Sequence, residues 1–101
     1  MTYAAYLLTI NIPPSLEEAL VDCLLTLENA HSFTSLPISA HEHDAHGLST
    51  AEQVLGRQKK LCFQLYVEKT RLAALLSHLK ADFSGSGLEY WITPVTEHGK
   101  I

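Results

Sequence analysis

The run His41-Glu42-His43-Asp44-Ala45-His46 places three imidazoles among two carboxylates in one short polar stretch. Neutral imidazole nitrogens beside a carboxylate oxygen form a donor set for zinc, copper(II), nickel or cobalt. In extended backbone, His41 and His43 point to the same side. A turn at Asp44-Ala45 then brings His46 alongside, with Asp44 as a supplementary ligand or as the carboxylate that orients an imidazole. Copper(II) leads the usual order of divalent affinities, so affinity alone does not name the metal. The spacing matches no standard zinc-finger pattern. Fixing loop backbone costs ~1–2 kcal/mol per residue, so modest affinity is expected unless neighbouring subunits contribute. The same residues also suit a solvated acidic loop with no ligand.

Other reactive groups are fewer. Arg57, Lys59 and Lys60 form a local basic cluster that could grip a phosphate or an acidic partner, or simply solvate a loop exit and a strand start. Cys23 and Cys62 lie in apolar runs with no CxxC pair, which points to reduced, buried thiols in a reducing compartment. Cys62, repeated around a symmetry axis, is a soft-metal candidate; an inert buried thiol is the plainer role. His31 falls where the first helix ends and suits its dipole. His78 lies beside an apolar stripe, on the surface, and His98 in the tail is a further candidate ligand. No GxSxG, P-loop, HExxH or dinucleotide glycine fingerprint occurs, so no enzyme is expected.

The elements that must position these groups follow from periodicity. Residues 3–12 alternate as a strand, with Tyr6, Leu8, Ile10 and Ile12 on one face, and Pro13-Pro14 stops it. Residues 16–28 carry an apolar stripe through Leu16, Leu20, Cys23, Leu24 and Leu27, and Ser15 and Glu18 have capping-box spacing. Residues 33–40 read as a weaker strand, where Pro37 points to an edge or a bulge. Within the long loop, 41–58, residues 49–55 have capping-box spacing for a helical turn or two, with Gly56 as its stop. Residues 60–67 alternate as the clearest strand. Residues 70–82 form a second helix, with Leu72, Leu75, Leu76 and Leu79 on one stripe. Ser84-Gly85-Ser86-Gly87 is a turn, residues 88–93 are a last strand ended by Pro94, and 95–101 is a tail. The order β-α-β-β-α-β is an α+β, ferredoxin-like sandwich.

The chain has 101 residues, 47% hydrophobic and 18% charged, with a net charge of −4. That suits a single domain over 1–101. The acidic balance argues against nucleic-acid binding. No run reaches the ~18 apolar residues of a membrane-spanning helix, and the first residues lack the basic start of a signal peptide, so a cytoplasmic location is expected. Leu7, Cys62, Tyr66 and Trp91 place apolar and aromatic groups on the sheet face away from the helices. A small domain apolar on both sheet faces is expected to pack one of them against another subunit.

The segments LTINIPPSLEEALVDCLL, SFTSLPISAH, GLSTAEQVLGRQKKLCFQLYV and LEYWITPV resemble the PII-like superfamily, which includes the PII signal-transduction proteins and the divalent-cation tolerance proteins. More closely they resemble a small family of PII-like proteins of unsettled activity, whose genes tend to sit beside heavy-metal efflux systems. The resemblance covers nearly the whole chain. It implies a homotrimer with its sheets facing a central axis and its 41–58 loops projecting outward toward protein partners. In PII proteins, basic residues after the fourth strand help hold adenine nucleotides between subunits. Here that segment, Thr93 to Lys100, has no paired arginines, so nucleotide binding does not carry over residue by residue. Gly56-Arg57-Gln58-Lys59 is similar to a PII segment but lies at the loop exit instead of its start. The expected function is a trimeric binding and regulatory protein whose histidine loop takes a divalent metal, a protein partner or both, linked to metal homeostasis. The alternatives are a nucleotide-responsive signal protein using Arg57, Lys59 and Lys60, and a structural interaction module without a ligand.

Overall fold

A computed structural model describes residues 5–27, 32–41 and 58–101. Four strands form one antiparallel sheet: β1 (Ala5–Ile12), β2 (Phe33–Ala40), β3 (Gln58–Glu68) and β4 (Glu89–Val95), in the order β2-β3-β1-β4. Two helices, α1 (Glu17–Thr26) and α2 (Lys69–Asp82), complete the expected βαββαβ chain. Residues 3 and 4 of the expected first strand lie outside the described residues.

Alternation along the strands decides which face is the core. Leu8, Ile10 and Ile12 of β1 stand level with Leu65, Phe63 and Leu61 of β3. Most of these side chains are fully buried, and they cluster with Leu20 and Leu24 of α1 and Leu75 and Leu79 of α2. Both helices therefore cover one face of the sheet. Phe33 of β2 closes one side of this core, its ring centroid 6.0 Å from that of Phe63.

Several element ends differ from expectation for local reasons. The expected capping box at Ser15 and Glu18 does not form. The chain instead makes a 3-10 turn over Pro14–Leu16, with the Leu16 N–H bonded to the Pro13 carbonyl at 3.0 Å. The prolines preset φ for that tighter turn, which draws Ser15 inside it. α1 then starts at Glu17 with no side-chain cap and ends at Thr26, earlier than expected. Thr26 donates its hydroxyl to the Cys23 carbonyl at 2.9 Å, and the Leu27 N–H donates to the same oxygen at 3.2 Å, so both close the last turn.

β3 starts at Gln58, two residues earlier than its apolar alternation suggests, so Gln58 and Lys59 join Lys60 in the sheet. Pro94 does not end β4; it pairs with Tyr6 inside the strand. β4 is an edge strand, where a missing backbone N–H costs least. Pro37 is accommodated in the same way on β2, the opposite edge. The α2–β4 turn needs its glycines: Gly85 and Gly87 have φ of 75° and 82°, in the left-handed region that side chains disfavour.

Candidate functional site

The last rung between β2 and β3 pairs Ala40 with Gln58. His41 follows directly and is exposed. The two strands thus deliver both ends of segment 42–57 to one end of the sheet. Of the expected metal ligands only His41 is described; His43, Asp44 and His46 lie outside the described residues, as do Arg57, His31 and the expected helical turn at 49–55. Among the described residues, no three His, Cys, Asp or Glu side chains are gathered closely enough to hold a metal ion as they stand.

The basic residues at the loop exit separate. Strand alternation sends Lys59 and Lys60 to opposite faces. Lys59 is exposed, whereas Lys60 is 8% exposed and its Nζ meets Glu89 Oε1 at 2.8 Å. The carboxylate stays half in water, so the pair keeps the buried ammonium compensated without a fully buried counter-charge. Nothing in the sequence spacing links Lys60 to Glu89; only the strand order brings β3 and β4 onto either side of β1. Close to the loop base, Pro14, Pro37, Ile38, Ser39, Lys59, Lys60 and Leu61 line a hollow of about 380 Å³.

The face away from the helices is the second feature of the site. Leu36, Tyr66 and Trp91 are 43%, 47% and 49% exposed there, beside half-buried Leu7 and Ile38. Leu36 stands level with Cys62, and Ile38 with Lys60. Both therefore belong to this face and not to the core. Counting by twos from Phe33, which faces the helices, would have found them. On the same face, near the C-terminal end of β1, Asn11 lies between Cys62 and Glu89 in the ladder, and its Oδ1 is buried with no hydrogen-bond partner among the described residues. The tail returns over the same face, with the His98 ring centroid 4.5 Å from that of Tyr66.

The two thiols differ. Cys62 is buried on the open face, and burial pushes its pKa up. Cys23 was expected in the core, yet it is only half-buried. It packs against the core edge while its Sγ donates to Asp82 Oδ2 at 3.7 Å. Its pKa is raised first by burial, then by the charge of Asp82 and the hydrogen bond to it.

The family described as "Protein of unknown function (DUF3240)" matches residues 2–101. The chain belongs to the DUF3240 family. No curated protein matches it. Among solved structures, a DUF3240 family protein from Shewanella baltica OS155 is similar with a TM-score of 0.79 and 22% identity, covering 100% of this chain and 99% of that one. CPII from Thiomonas intermedia K12, a nitrogen regulatory PII-like protein solved with ADP, AMP and bicarbonate, has a TM-score of 0.72 and 15% identity, with 98% of each chain covered. The periplasmic divalent cation tolerance protein CutA from Archaeoglobus fulgidus has a TM-score of 0.70 and 14% identity, covering 95% of this chain and 88% of that one. These likenesses establish a PII-like fold for this DUF3240 protein. No helix among its described residues is long and apolar enough to cross a membrane.

Proposed function

We propose that this chain is a trimeric, PII-like binding and regulatory protein whose histidine loop takes up a divalent transition metal and, when occupied, engages a protein partner. The observation that carries the proposal is the placement of His41. It continues β2 directly at an exposed sheet end, and the histidine-rich segment that follows is anchored on both sides by paired strands. Rigid anchors reduce the backbone freedom that binding must remove. His41, His43 and His46 are the proposed ligands, with Asp44 as a fourth or as their orienting carboxylate, and zinc, copper(II), nickel and cobalt suit that set. The metal drives the switch only through tighter binding to the partner-competent loop. The exposed apolar sheet face supports the trimer, and a cytoplasmic setting fits the reduced thiols.

A nucleotide-responsive alternative draws on the hollow beside Lys59 and on the adenine nucleotides bound by CPII. The engagement of Lys60 by Glu89 weakens it, since the ammonium already has a counter-charge.

Calorimetric titration of the metal-free protein with zinc and copper(II), beside a His41/His43/His46→Ala variant, tests the metal reading. The variant is expected to bind at least one metal equivalent per chain fewer. Superimposable isotherms for the two proteins overturn the reading.

A further inference from the structure

A second cluster of ligating side chains lies on the helix layer, away from the loop. His78 and Asp82 are four residues apart on α2, so they share one helix face. Cys23 reaches the same point from α1. One oxygen, Asp82 Oδ2, is 3.7 Å from Cys23 Sγ and 4.0 Å from His78 Nδ1. The His78 and Asp82 side chains are 60% and 53% exposed, so an ion has a path from solvent. Sulfur, nitrogen and oxygen from three side chains, all on helices packed against one core, form a set that zinc and cobalt(II) accept.

We propose that Cys23, His78 and Asp82 form a three-ligand site between α1 and α2 for a borderline-soft divalent cation such as zinc, leaving a fourth position open to water.

The two distances to Asp82 Oδ2 are near those such an ion imposes. Bonds of about 2.3 Å to sulfur and about 2.0–2.2 Å to nitrogen and oxygen, at a tetrahedral angle, hold ligand atoms roughly 3.3–3.6 Å apart. The three side chains do not form a closed metal group as they stand. The oxygen–sulfur gap needs to shorten only slightly and the oxygen–nitrogen gap by roughly half an ångström. The exposed His78 ring can supply that movement by rotating about its side-chain torsions, with the helices held fixed. On uptake the Cys23 S–H bond breaks, its proton goes to solvent, and sulfur donates the freed pair to the metal. The cation then sits where it attracts both thiolate and carboxylate, replacing the repulsion the two anions would otherwise exert on each other. This site is independent of the loop proposed above.

The test uses cobalt(II) with the His41/His43/His46→Ala protein, so that a failure of the loop reading leaves it untouched. The expected result is a near-ultraviolet thiolate-to-cobalt charge-transfer band, absent in an added Cys23→Ser substitution and retained with Cys62→Ser. Asp82→Asn and His78→Ala are each expected to weaken cobalt binding at least tenfold. Both positions are exposed, so these variants keep the fold and carry the test even if serine at Cys23 does not. Absence of the band, a band that disappears with Cys62 instead of Cys23, or cobalt affinity unchanged in both α2 variants overturns the proposal.

Discussion

Phe63→Ala is expected to destabilise the isolated fold by about 3–5 kcal/mol, the usual range for removing a buried aromatic. The Phe63 ring is fully buried at the middle of β3. Its cross-strand neighbours are Ile10 and Ser35, and the Phe33 ring lies beside it. Ser35 is too small to fill the space, so the cavity relaxes poorly. Domains of this size have about 5–15 kcal/mol of stability in all, so a large share is lost in one substitution. Urea unfolding should show a much lower midpoint with the slope unchanged. Leu25→Ala, at a residue 69% exposed on α1, is the control and is expected to stay within about 0.5 kcal/mol of the parent. Equal effects from the two substitutions would contradict the placement of the core.

Trp91→Glu is expected to break the assembly while leaving the single-chain fold intact. Trp91 is on the open face of an edge strand, where its neighbour across the ladder is Thr9, and half of its surface is accessible in the lone chain. There a glutamate is solvated and costs little. Against the apolar face of another copy, the same carboxylate is buried without a partner and costs several kcal/mol. A penalty of about 3–4 kcal/mol corresponds to an association weakened by roughly a hundred- to a thousandfold. Light scattering is expected to show three 11.2 kDa chains for the parent and one for the variant. Unchanged mass in the variant, or a parent that is already monomeric, contradicts the proposed sheet-to-sheet packing.

Where side-chain patterning and backbone need agreed, the fold was legible from residues alone. Leu8, Ile10 and Ile12 of β1 and Phe63, Leu65 and Val67 of β3 recur at every second residue because one face meets the helices, and Leu75 and Leu79 mark the stripe that α2 buries. The misreadings at the start of β3, at Pro94 and at Cys23 share a cause: they turned on contacts between distant segments. Gln58 and Lys59 look like a solvated loop exit until β2 supplies Ala40 and Ser39 as ladder partners. Pro94 looks like a stop until strand order makes β4 an edge. Cys23 fits the α1 apolar stripe, yet its sulfur faces an acid on the other helix, which helical spacing cannot reveal. At the proposed loop site, sequence supplies the donor types while the structure contributes His41 and the paired strands that anchor the loop.

The measurement that tests the central claim most directly is amide hydrogen exchange, followed by mass spectrometry, with and without zinc. If metal uptake fixes the loop, peptides within 41–57 are expected to exchange more slowly when zinc is added, and the β1 and β3 peptides to stay as they were. The His41/His43/His46→Ala protein is expected to show no such slowing. Exchange across 41–57 that ignores zinc, or that slows equally in the substituted protein, contradicts the account.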